Sequence, residues 1–165
     1  NMDSIIIFGA KYLYLAVVIL ALFYLLILPK KESSRVIVAA LIALPLSYLV
    51  AKGLSALYYD PRPFVVGQFV PLIPHAPDNG FPSDHTLFVS AIAAVIFAFE
   101  RRLGLALFVV AALVGWSRVG AGVHHLTDIL GSMIIASVVT WGVVRFVFPS
   151  LWHKMPRSLH HFLTH

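Results

Sequence analysis

The sequence predicts an all-α integral membrane bundle of about five transmembrane helices, with an outer loop and an interfacial C-terminal segment. Three observations carry that prediction. Of 165 residues, 60% are hydrophobic and 12% charged, and the mean hydropathy is +0.91. A soluble domain of this length has too little polar surface to cover so much apolar area, so lipid must solvate most of it. The apolar residues fall in runs long enough to cross a bilayer as helices. The basic residues gather at alternate turns, as membrane topology requires. With no cysteine, a disulfide framework and a thiolate metal site are excluded. The formal charge of +5 is not arranged as a stripe, so nucleic acid is not an expected partner.

Residues 1–165 read as one domain. The first span covers residues 5–28, interrupted by Gly9 and Lys11. It is too long for a signal peptide and lacks a small-residue cleavage site. A polar turn over residues 29–35 leads into the second span, 36–59, which contains Pro45 and Lys52. Residues 60–82 hold Pro61, Pro63, Pro71, Pro74, Pro77, Gly67 and Gly80, a density of breakers that makes a long loop of the functional kind. The third span, 83–99, is short. Glu100-Arg101-Arg102 turns the chain into a fourth span, 103–116, and a fifth covers 127–148 until Pro149 ends it. The tail, 150–165, mixes Leu151, Trp152, Leu159 and Phe162 with basic residues and suits a helix lying at the membrane interface. Its His153, His160, His161 and His165 read as a basic tail at the inner headgroups.

Five spans fix an orientation. With residues 30–35 in the cytoplasm, Lys30, Lys31, Arg35, Arg101, Arg102, Arg145, Lys154 and Arg157 all lie inside, eight of the twelve basic residues. Besides Lys11, the exceptions are Lys52, Arg62 and Arg118. Together with His85, His124 and Asp128 they fall on the outer face, which marks them for chemistry.

Residues 117–128 hold the densest polar cluster, Ser-Arg-Val-Gly-Ala-Gly-Val-His-His-Leu-Thr-Asp. Ionisable groups at a membrane edge are costly and are commonly functional. His124 and Asp128 are four apart, so on a helix they share a face and can hydrogen-bond. A carboxylate that fixes one imidazole nitrogen leaves the other available as nucleophile or base. Arg118 adds a planar, permanently charged fork suited to phosphate oxygens. His125, next to His124, points about 100° away on a helix and is set aside. Two further stretches converge on this face. One runs from Lys52 to Tyr59-Asp60-Pro61-Arg62-Pro63-Phe64. The other is Gly80-Phe81-Pro82-Ser83-Asp84-His85-Thr86, where Ser83 is a candidate N-cap and the first-turn N–H groups face outward toward an anion.

The three stretches resemble the signature of the type-2 phosphatidate phosphatase superfamily, which includes membrane lipid phosphatases and vanadate haloperoxidases. Ser117-Arg118, five residues, His124, three residues and Asp128 match its third motif, and Pro82-Ser83-Asp84-His85 its second, with Asp84 where many members have glycine. The chain is most similar to the small bacterial undecaprenyl-diphosphatases of the bacitracin-resistance type, which share Pro-Ser-Asp-His and Arg-Pro-Phe. One departure stands out. The first motif usually has six residues between its lysine and Arg-Pro, whereas nine separate Lys52 from Arg62, so the usual position falls on Ser55.

The resemblance implies a phosphatase in which His124 attacks phosphorus, Asp128 holds its imidazole, and His85 protonates the leaving oxygen and then activates water. Arg62, Arg118 and Lys52 would surround the phosphate, with Ser83 and Asp84 at the cradle's edge. Fixed cations would make a metal or other cofactor unnecessary. The implied reaction is conversion of undecaprenyl (polyprenyl) diphosphate to the monophosphate for carrier-lipid recycling, at the outer, periplasmic face of a bacterial cell membrane. Two enzymatic alternatives stand beside it: a phosphatase of phosphatidate or phosphatidylglycerol phosphate, and a lipid phosphotransferase. A small anion or lipid transporter is the non-enzymatic alternative. It predicts polar residues deep in several spans, and spans one, three and five are almost bare of charge at mid-depth.

Overall fold

The structure is a computed structural model and describes residues 1–154 and 161. Its first two helices, α1 (Met2–Ile27) and α2 (Lys30–Leu57), are joined by a two-residue turn. A long connection containing the one-turn helix α3 (Pro63–Val66) leads to α4 (Asp84–Phe99). Helices α5 (Arg101–Gly120) and α6 (Leu126–Gly142) follow. A π-helical turn, Val143–Val147, then passes directly into α7 (Phe148–Lys154).

Four of these segments are long and apolar enough to cross a membrane: α1, α2, α5 and the continuous run Leu126–Lys154. Large apolar side chains such as Leu22, Phe23, Leu41, Leu49, Leu113 and Val138 point outward from them. An outer surface of that kind is stable in lipid, not in water. The chain is a multi-pass membrane protein.

Helix α4 is the short third span that the sequence predicts. At 16 residues it extends about 24 Å, short of a bilayer core of about 30 Å. Its setting explains why length matters less there. Nine of its 16 residues are buried, against four of 26 in α1, and it packs on α1, α2, α5 and α6. It is the central helix, solvated by protein. Gly104 permits its closest contact: a Cβ there would collide with the backbone of Phe97, so α4 and α5 approach as small-residue membrane helices do. Buried Val89, Ala93 and Ile96 of α4 meet Leu107, Ala111 and Val114 of α5 in that seam, with Val17 and Ala21 of α1.

Pro149 does not end the last span. The backbone N–H of Phe148 reaches Val143 O, five residues back. This wider register carries the helix past a proline that can donate no hydrogen bond and places Pro149 in the first turn of α7, where none is needed. Phe148 and Trp152 are buried against Val36, Ala39 and Ala43 of α2. The start of the tail is thus packed into the bundle. Apart from His161, the remainder of the expected interfacial segment, with His160 and His165, lies outside the described residues.

Chain direction sorts the ends. The starts of α2 and α5 and the end of α6 share one end, where Arg35 lies over the ring of Phe99. The polar motifs gather at the other.

Candidate active site

The loop between α2 and α4 is tied down at several points. Asn79 donates to Ser55 O, Ser55 Oγ and Tyr58 O at 2.9–3.0 Å, and accepts from the backbone N–H of Asp60 (2.9 Å) and Phe81 (3.0 Å). Ser55, the position that the usual spacing assigns to lysine, thus anchors the loop. Farther along, Leu72 N donates to Ala121 O (3.0 Å), and Ile73 is buried with Ala10, Ala121 and Val123. The loop is therefore a lid pinned to α2 on one side and to the α5–α6 turn on the other.

His124 and Asp128 meet, though not on one helical face. His124 lies in the turn before α6, and His125 is the helix N-cap. Asp128, the third residue of α6, turns back: its Oδ2 accepts from the His125 backbone N–H (2.8 Å) and lies 3.2 Å from His124 Nδ1. A capping arrangement, reinforced by the positive helix terminus, aims the carboxylate at the imidazole. Asp128 is wholly buried and His124 is 2% exposed. Gly122 makes the turn possible, with φ of +77° and the Phe69 ring 2.6 Å from where a Cβ would stand.

Arg62 faces the other side of the imidazole. Its Nη1 donates to Val123 O (2.8 Å) and lies 3.3 Å from His124 Nε2; Nη2 donates to Asn79 O (3.3 Å), and Nε to Asp78 Oδ1 (2.7 Å). A guanidinium can only donate and an ionised carboxylate can only accept, so Nδ1 carries the proton of the neutral ring and Nε2 the lone pair. Arg118 is also buried. Its Nη1 donates to Ala10 O in α1 (3.3 Å), while its Nε has no hydrogen-bond partner among the described residues. Burial pushes the His124 pKa below its ordinary value; Asp128 opposes the shift, and Arg118 and Arg62 reinforce it.

His85, at the start of α4, is half-buried with its ring edge-on to Tyr14, within electrostatic reach of Arg118, His124 and Asp84. Ser83 is the N-cap and is fully buried; its hydroxyl oxygen accepts from Thr86 N (3.5 Å) and Thr86 Oγ1 (3.1 Å). The hydroxyl proton is not used in these two bonds. Lys52 and Asp84 stand apart on the rim. Lys52 Nζ lies 3.4 Å from Asp84 Oδ1 and over the Tyr48 ring, and both side chains are about half exposed. Lys52 is about one helical turn deeper than Ser55, which brings it level with the start of α4.

Three groups escaped the sequence reading. His75 stands edge-on to His124, with ring centroids 6.1 Å apart. Asp78 bridges Arg62 and His75, at 2.7 Å and 3.8 Å. Burial tends to raise the Asp78 pKa, but the hydrogen bond and charge of Arg62 hold it below the usual carboxylate value. Burial and Arg62 push His75 down. The third group, Asp60, lies 3.4 Å from His125 Nδ1, and burial with the Asp128 charge pushes it up. Asp60, His125 and Asp128 each bring one ligand atom within 4.8 Å of the others, a spacing that could hold a metal ion. A histidine among prolines carries no motif, so His75 had no sequence signal; Asp60 and Asp78 gain meaning only once Arg62 and Asp128 are located.

Fold and site together define a multi-pass membrane protein with a buried histidine–carboxylate pair flanked by two arginines. A family model described as the PAP2 superfamily matches residues 35–152, and the chain belongs to that superfamily. It is 33% identical over 148 residues to undecaprenyl-diphosphatase BcrC of Bacillus subtilis, covering 88% of this chain and 75% of that protein. It is 31% identical to the putative undecaprenyl-diphosphatase YbjG of Escherichia coli, covering 96% and 79%. The fold is similar to the crystal structure of Aquifex aeolicus LpxE (TM-score 0.69, 24% identity, 88% of this chain and 86% of that one). It is also similar to a PAP2-type phosphatidylglycerolphosphate phosphatase of Bacillus subtilis (TM-score 0.55, 24% identity, 94% and 77%).

Proposed function

We propose that this membrane phosphatase removes the terminal phosphate of a polyprenyl diphosphate, undecaprenyl diphosphate in the cell, through a phosphohistidine intermediate. The observation that carries the mechanism is the two-sided fixation of His124. Asp128 holds Nδ1, and the Nε2 lone pair faces the Arg62 guanidinium, where a phosphoryl group would be drawn. The substrate class rests on similarity to the two undecaprenyl-diphosphatases. An apolar cavity of about 510 Å³, lined by Phe69, Val70, Leu72 and Val119, borders His124 and suits isoprene units.

In this mechanism the terminal phosphate displaces Arg62 from Nε2, and Arg62 and Arg118 hold its equatorial oxygens. Nε2 forms the N–P bond as the bridging P–O bond breaks. His85 delivers a proton to the departing lipid phosphate, then takes one from the water that cleaves the N–P bond. Asp128 balances the imidazolium that develops. Ser83 and the first-turn N–H groups of α4 complete the cradle, with the Lys52–Asp84 pair at its rim. No step uses a metal. The positive-inside rule supports a site on the outer face of the cell membrane, where the product would re-enter the carrier-lipid pool.

The test is phosphate release by purified protein from farnesyl diphosphate, phosphatidate and phosphatidylglycerol phosphate. Preference for the isoprenyl diphosphate supports the assignment; release from the glycerolipids alone overturns it.

A further inference from the structure

At the end opposite the site, α4, α5 and α6 enclose a cavity of about 450 Å³ that the phosphatase chemistry does not use. Its walls are apolar, with Phe97, Phe108, Trp141 and Val144 among them, and Trp141 is 63% exposed, so it opens on the lipid-facing surface. Two cations reach it from different elements, Arg101 at the first position of α5 and Arg145 in the π-helical turn. The wide turn that accommodates Pro149 is what carries Arg145, and such turns recur where a helix has been adapted to bind. Thr140 also lines the cavity. It is 2% exposed, and its Oγ1 has no hydrogen-bond partner among the described residues.

We infer that this cavity seats one anionic phospholipid of the adjoining leaflet, an acyl chain between α4, α5 and α6 and the phosphodiester on Arg101 and Arg145. An apolar cleft facing a bilayer is filled by lipid tails. The two guanidinium groups at its edge select an anionic headgroup over a zwitterionic one, by electrostatics worth a factor of about thirty for two arginines near the membrane surface. The buried Thr140 hydroxyl gives the glycerol–ester region a polar partner.

The experiment uses the full chain in phosphatidylcholine nanodiscs doped with phosphatidylglycerol or phosphatidylcholine carrying brominated chains. Quenching assigned to Trp141, by difference from Trp141→Phe, reads occupancy. Brominated phosphatidylglycerol should quench at roughly thirtyfold lower mole fraction than brominated phosphatidylcholine. The Arg101→Gln/Arg145→Gln pair should remove that preference, and Ala98→Phe, which fills the cavity, should weaken quenching by both lipids. Thermal unfolding close to wild type excludes misfolding of these variants. Equal quenching by the two lipids, or a preference that survives loss of both arginines, overturns the inference.

Discussion

Nη1 of Arg62 lies 3.3 Å from Nε2 of His124, on the side of the imidazole opposite Asp128. In the proposed mechanism the guanidinium holds the lone pair until an anion replaces it, and it is then already placed to bind that anion. Resting and reacting geometry therefore share one set of positions, and little reorganisation is required.

Asp128→Asn tests the fixation of His124. An amide does not reproduce a carboxylate that accepts from both Nδ1 and the His125 N–H while balancing an imidazolium. Phosphate release should fall by roughly 10³-fold or more, and thermal stability by about 1 kcal/mol through the weakened cap. Steady-state kinetics beside a melting curve separate the two effects.

The protonation of His124 gives a signed expectation. Its pKa is held below about 6.5, the ordinary histidine value, so in the free enzyme Nε2 is unprotonated at neutral pH and is lost as pH falls through that lowered value. Arg62→Gln should raise the pKa, because it removes a cation. Asp128→Asn should lower it further, because it removes the partner of the charged form. NMR titration of the His124 ring in the free protein gives each sign directly.

Much of this was legible in the sequence. Five helical segments, the separation of basic turns from the polar motifs, and the placing of His124, Asp128, Arg62, Arg118 and His85 at one end follow from hydropathy and from spacing. Four-residue spacing predicts the pairing of His124 with Asp128 but describes a helical face and a helix cap equally well, and the structure uses the cap. The sequence ends the last span at Pro149, whereas the helix continues, because whether a proline stops a helix depends on the register of the turn before it. His75 and Asp78 sit in a loop whose course is fixed by long-range bonds from Asn79 and Leu72, which local pattern cannot reveal.

Lys52 and Arg62 should separate in their effects. Lys52 is half exposed and engaged with Asp84, whereas Arg62 is 5% exposed and faces Nε2. Lys52→Gln should reduce kcat/KM by less than about tenfold and Arg62→Gln by more than about 100-fold, the scale of a lost oxyanion donor. Arg62→Lys should rescue little, since one ammonium cannot span Asp78, Asn79 O, Val123 O and His124.

Gly122→Ala probes the turn that presents His124. A positive φ and the nearby Phe69 ring both resist a methyl group. The change should cost about 1–2 kcal/mol of stability and lower kcat more than it raises KM, because it displaces the proposed nucleophile two residues on. Paired melting and kinetic measurements check both.

The most direct measurement is single turnover quenched with alkaline dodecyl sulfate, using farnesyl diphosphate labelled in its terminal phosphate, for wild type and His124→Ala, with EDTA throughout. The proposed mechanism predicts acid-labile, base-stable label on the wild-type protein, phosphate release undiminished by the chelator, and neither in the variant. Release that persists in His124→Ala, or that EDTA abolishes, would contradict a histidine nucleophile served by fixed cations.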